Sequence, residues 1–187
     1  MADSVAVDTN WLLDVALSRD EGSAALWREA RLGNLRLVLP AVAIVEALKV
    51  LEGWDKEWRR FSAHLGQMAG VASPEQMLLA SAQLADRAER LVWQTLQQAS
   101  TTAELLEVTS ATIARASNVR DFLKLSAADA LVLSLVVDAS ESGICGDFLS
   151  RDRTFQKGET KAYLEEKGIA FWSNATPYLA ARGEPKQ

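Results

Sequence analysis

Short apolar runs alternate with helical segments along this chain, and the links between them are brief. Residues 5–7, 35–39, 105–109, 144–150 and 169–172 read as strands or contain one. Helix signals fill the gaps. Thr9 and Asn10 are short polar residues able to cap a helix from about Trp11. Ser23 opens a segment over 24–31 that Gly33 ends. Pro40 suits the first turn of a helix carrying Val42, Ile44, Val45, Leu48 and Leu51 and stopping near Gly53. Ser73-Pro74-Glu75-Gln76 is a strong start signal and predicts a helix to about Gln98, with Met77, Leu84, Ala88 and Leu91 on its apolar face. Further helices are expected over 54–68, 110–117, 127–139 and 159–168, and a frayed tail from Ala180. Parallel strands need crossovers of a dozen or more residues, usually helical, so this alternation predicts an α/β fold with a mostly parallel central sheet. The expected organisation is one domain over 1–187, with the helical block at about 54–100 inserted into it.

Composition narrows the class. The chain has 187 residues, 49% hydrophobic and 24% charged, the balance of a soluble globular protein. It lacks a run of about eighteen apolar residues, so no membrane span is predicted. The start, MADSVAVD, lacks the basic and apolar stretches of a secretion signal and reads as the first strand. One cysteine, Cys145, cannot form an internal disulfide, which fits a reducing cytoplasm. The net charge of -5 argues against broad, non-specific nucleic-acid binding. It leaves room for a nucleic-acid enzyme, whose active-site acids are neutralised when metal binds.

Four acids stand out: Asp8 in VAVDTN, Glu46 in AIVEALKVL, Asp129 in SAADALVL and Asp152 in FLSRDRTF. Each has a structural explanation of its own. Asp8 and Asp152 suit turns, Glu46 a solvated helix face, and Asp129 a capping box with Ser126. Their joint placement says more. Strand carboxyl ends share one edge of an open parallel sheet, and such folds bind ligands there. Four carboxylates gathered at that edge repel one another unless a cation neutralises them. Carboxylates are hard oxygen ligands, which suit Mg²⁺ or Mn²⁺.

Other chemistries are poorly served. No His/Cys cluster suits zinc, and a single histidine, His64, makes a serine-type triad improbable. Neither phosphate-binding glycine motif is present. The inventory therefore points to metal-activated water attacking a phosphate ester, with Asn10 and Ser150 orienting ligands or water. Lys49, Lys56, Arg59 and Arg60 follow Glu46, and Arg151, Arg153 and Lys157 flank Asp152. Any of these can track phosphates or simply face solvent. Trp54 and Trp58 share a helix face, which suits packing better than base stacking.

VAVDTN, VEALKVL, SAADALVLSL and FLSRDRTF, in this order, resemble the motifs of the PIN-domain family. The resemblance runs from Val5 to about Trp172. It implies a three-layer α/β/α ribonuclease fold and an acidic metal-binding set of Asp8, Glu46, Asp129 and Asp152, supported by Asn10 and Ser150. It also implies RNA as substrate. Many bacterial members are VapC-like toxins that form homodimers and are held inactive by an antitoxin protein. Two departures stand out: the stretch between Glu46 and Asp129 is longer than in compact toxins, and serine occupies position 150 where threonine is common. Two rival readings remain: a PIN-like module that binds RNA or protein without cutting, and a haloacid-dehalogenase-like phosphatase. The latter family needs a second acid two residues after the first, where this chain has Asn10.

Overall fold

The computed structural model describes residues 3–53 and 74–183. The helix expected over 54–68 lies outside the described residues, along with Trp54, Lys56, Trp58, Arg59, Arg60, His64 and Ser73. In chain order the described elements are β1 (Ser4–Val7), α1 (Thr9–Ala16), α2 (Glu21–Arg31), β2 (Arg36–Pro40), α3 (41–53), α4 (Pro74–Thr102), β3 (Glu104–Leu106), α5 (Ser110–Leu123), α6 (Ala127–Glu141), β4 (Asp147–Leu149), α7 (Gly158–Glu166), β5 (Ala170–Trp172) and α8 (Ala175–Gly183).

The five strands form one sheet in the order β3-β2-β1-β4-β5, and every neighbouring pair is parallel. Side chains alternate across it with the period of two that a strand imposes. Val5, Val7, Leu37, Leu39 and Leu149 enter one buried cluster with α1, α2, α3, the far end of α4 and α8. Ala6, Val38 and Phe148 enter the other, with α5, α6 and Leu164 of α7. Both faces are covered, as a parallel sheet requires. The molecule is thus a three-layer α/β/α fold with the parallel sheet that the strand–helix alternation predicts. No helix among the described residues is long and apolar enough to cross a membrane.

The topology fixes where a ligand can sit. From β1 the chain builds outward to β2 and β3, then returns to lay β4 and β5 on the other side of β1. The strand order therefore reverses between β1 and β4. In open α/β sheets the crevice beyond the strand carboxyl ends at such a reversal is the binding cleft.

Several boundaries differ from those read in the sequence. α1 begins at Thr9 and Asp8 is its cap, its carboxylate accepting the Trp11 N–H at 3.0 Å. Asp20, not Ser23, caps α2, accepting the Ser23 N–H at 2.7 Å. Pro40 closes β2 instead of opening α3. α5 runs on to Leu123, well past the expected stop, because Val119 and Leu123 bury against α6. Packing overrides the weak helix propensity of Ser117-Asn118, and Lys124 ends the helix in the left-handed conformation at φ 54°. Among the described residues of α4 the buried stripe is Val92, Leu96 and Ala99, while Leu84 and Leu91 are exposed; the Met77 side chain lies outside the described residues. Residues 175–183, for which no helix was expected, form α8, where buried Tyr178 packs on Trp172. The first part of the tail expected to fray, 180–183, belongs to it, with Arg182 bonded to Asp3 and the Asn34 carbonyl, and 184–187 lie outside the described residues.

α6 is apolar nearly all round because it lies between the sheet and α5. Its Leu133 is fully buried. Leu133→Ala is expected to lower unfolding free energy by about 2–5 kcal/mol, read from the urea midpoint at an unchanged slope.

Candidate active site

The pairing of β1 with β4 builds the centre of the site. Val7 lies opposite Leu149, so the next residues along, Asp8 and Ser150, emerge together at the carboxyl edge. The Ser150 hydroxyl donates a short hydrogen bond to Asp8 Oδ2. It also accepts the Asp152 N–H at 3.0 Å. Asp8 is 3% exposed, and its two oxygens are held by Ser150 and the Trp11 N–H.

Each of the other acids is held by a hydrogen bond of its own. Asp152 accepts the Thr154 N–H at 2.7 Å, and Asn10 Nδ2 approaches its other oxygen at 3.5 Å. Glu46, in the second turn of α3, accepts the Thr9 hydroxyl at 2.7 Å. Asp129 accepts the Ser126 hydroxyl at 2.8 Å and donates its own N–H back to Ser126 at 3.1 Å. The Ser126 cap is as the spacing predicts, but the acid meets the cap's hydroxyl and not, as a capping box would have it, its backbone N–H.

Electrostatics ties the four together. Burial lifts the Asp8 carboxyl to about 6, offset in part by its bonds to Ser150 and Trp11, with the charges of Asp152 and Asp14 adding to the rise. Burial likewise raises Glu46, with the charges of Asp129 and Asp152 pushing the same way and Lys49 opposing. Asp129 is raised by burial and by Asp152, and Lys157 opposes. Asp152 is therefore the charge common to all three. Perturbed carboxylates gathered in a cleft are the usual signature of a functional site.

The basic residues sort unevenly. Lys49 and Lys157 act on Glu46 and Asp129 and are exposed. Arg153 is exposed beside Asp152. Arg151 is engaged by Asp14 at 2.8 Å and lies 3.7 Å from Asp20. Asp14 and Thr9 were not singled out in the sequence. Asp14 carried a usable signal, a lone charge in the apolar helix TNWLLDVA. Thr9 read as a cap because it follows the strand directly.

The donor set is all carboxylate and hydroxyl, which is hard-ion chemistry. Among the described residues no three His, Cys, Asp or Glu side chains group closely enough to hold an ion directly. An all-protein cage therefore does not fit. A hydrated Mg²⁺ or Mn²⁺ asks less of the protein, since Mg²⁺ keeps several waters and takes only one or two carboxylates.

No protein-family model and no curated relative matches the sequence. Among solved structures, a match is found to VapBC2 from Rickettsia felis, a crystal structure bound to a DNA fragment from their promoter. It is 11% identical, covers 90% of this chain and 96% of that one, and has a TM-score of 0.48.

The raised Asp8 group has a consequence for folding. Its folded value, about 6, lies above the ordinary 3.8, so the folded state holds the proton more tightly. Its contribution to stability is complete below about pH 4 and is lost as pH rises through 6. At about 1.4 kcal/mol per unit, the loss is on the order of 2–3 kcal/mol. Asp8→Asn keeps the cap and removes the charge. Urea midpoints in chelator, followed from pH 4 to 7.5, are expected to fall less steeply for Asp8→Asn than for the wild type. Parallel slopes contradict the burial of a charged Asp8.

Proposed function

We propose that this chain is a metal-dependent endoribonuclease of the PIN type, hydrolysing RNA phosphodiester bonds. The observation that carries the reading is the reach of the Asp152 charge to Asp8, Glu46 and Asp129 at the one edge of the sheet where the strand order reverses. Mutual repulsion of this kind is relieved by a divalent cation. Asp8, Glu46, Asp129 and Asp152 would hold it together with its bound waters.

Bound there, Mg²⁺ or Mn²⁺ supplies a water of lowered pKa and stabilises charge on the phosphate oxygens. The chain's own residues do the positioning. Ser150 and the Trp11 N–H fix the Asp8 carboxylate, the Thr154 N–H and Asn10 aim Asp152, and Thr9 holds Glu46. Lys49 and Arg153, exposed beside Glu46 and Asp152, are suited to draw the phosphate backbone into the cleft. RNA as substrate, a homodimer and an antitoxin partner rest on the resemblance of the sequence motifs; a cytoplasmic setting rests on the single cysteine, and a single domain with an insertion at about 54–100 on chain length and the strand–helix pattern.

A second reading, a PIN-like module that binds without cutting, is favoured by the lack of three grouped metal-ligating side chains among the described residues. A phosphatase using Asp8 as nucleophile is disfavoured because both Asp8 oxygens are already engaged.

The test is cleavage of a structured RNA in Mg²⁺, Mn²⁺ and EDTA by wild type, Asp8→Asn and Asp152→Asn. The expected result is metal-dependent cleavage by the wild type and a loss of about 100-fold or more in kcat for both variants, with circular dichroism unchanged. Removing interactions made at the reacting centre lowers kcat in this way. Full activity in either variant rejects the site. Failure to bind any divalent ion, read by calorimetry, together with no cleavage of any RNA supports the non-cutting module.

A further inference from the structure

Arg151 stands between the two residues of the β4 loop that reach the site, Ser150 and Asp152. Its guanidinium turns away from them. One nitrogen donates to Asp14 Oδ2 at 2.8 Å and lies 3.7 Å from Asp20 Oδ1. Its carbonyl accepts Gln156 Nε2 at 3.0 Å. Asp14 belongs to α1 and is 6% exposed. Asp20 caps α2, and the turn before it contains Ser18 in the left-handed conformation at φ 52°. One side chain thus ties the β4 loop to α1 and to the start of α2.

The site needs such a tie. Ser150 serves Asp8 and Asp152 at once, so a small shift of residues 150–152 breaks both contacts. The direct link from α1 to Asp152, through Asn10, is 3.5 Å long. That is too long for a strong hydrogen bond. The Arg151–Asp14 contact is shorter, charge-assisted and largely shielded on the Asp14 side, which makes it the stronger restraint. The guanidinium also offsets the Asp14 charge, which bears on Asp8.

We propose that Asp14, Arg151 and Asp20 form the positioning device of the site. They set Ser150 against Asp8 and aim Asp152, and Arg151 is not a phosphate contact. The proposal deepens the hydrolytic reading and rests on it for its kinetic outcome. Its structural outcome is independent of that reading.

Two measurements on Asp14→Asn, Arg151→Ala and the double variant test it. In the metal-free protein, hydrogen exchange at the Trp11 and Asp152 amides is expected to quicken at least tenfold in each single variant, with α6 amides unchanged. In RNA cleavage, kcat is expected to fall at least tenfold at a KM within twofold of wild type. The double variant is expected to be no worse than the poorer single one, since residues acting as a unit are non-additive. Arg151→Lys keeps the charge without the planar fork and is expected to recover part of kcat. If Asp14→Asn fails to fold, the milder Asp20→Asn carries the exchange test, with the same direction expected. Unchanged exchange at Trp11 and Asp152 overturns the proposal. So does an Arg151→Ala variant with raised KM and normal kcat, the mark of a phosphate contact. Exchange as expected with an inactive wild type upholds the positioning and rejects the hydrolytic reading alone.

Discussion

β1 and β4 pair in parallel with Val7 opposite Leu149, and the site grows from the next step along each strand. There Asp8 meets the Ser150 hydroxyl at the point where the sheet changes direction of growth. Were the register to slip by one residue, every side chain on β4 would change face. Phe148 would leave the α5–α6 side, where it packs on Phe155 and Phe171. The core thus fixes the register, and the register fixes the carboxylate. Packing energy spread over a whole layer is spent holding one buried acid in place.

That acid is costly to hold. Asp8 is buried, deprived of water and faced by other negative charges. Two hydrogen bonds lessen the strain without removing it. Functional sites commonly carry such local conflicts between stability and chemistry. The conflict spreads through Asp152 to Glu46 and Asp129, which come from different elements and share no hydrogen bond with Asp8. The divalent cation proposed for the site would relieve them together.

Much of this was legible in the chain. The strands were marked by apolar runs, and the positions of Asp8 and Asp152 just past them followed from the strand ends. Asp129 was legible through its spacing from Ser126. Other features depend on packing that no local pattern records. The true length of α5 is set by α6, and among the described residues the buried face of α4 lies at its far end. α8 was missed because its small and polar residues look like a tail, although Tyr178 and Arg182 anchor it. Within the site, Thr9 bonds Glu46 across a gap of 37 residues. The partner of Arg151, Asp14, lies 137 residues away. Pairings at such separations exist only once the sheet is assembled.

The central claim is that these carboxylates act as one set and require a hard divalent ion. Titration of the metal-free protein with Mn²⁺, following free Mn²⁺ by electron paramagnetic resonance, tests it most directly. The account predicts saturable binding by the wild type and a loss of at least tenfold in affinity for Asp152→Asn, because Asp152 is the charge shared by the other three. Binding that is absent in the wild type, or equal in the variant, contradicts it.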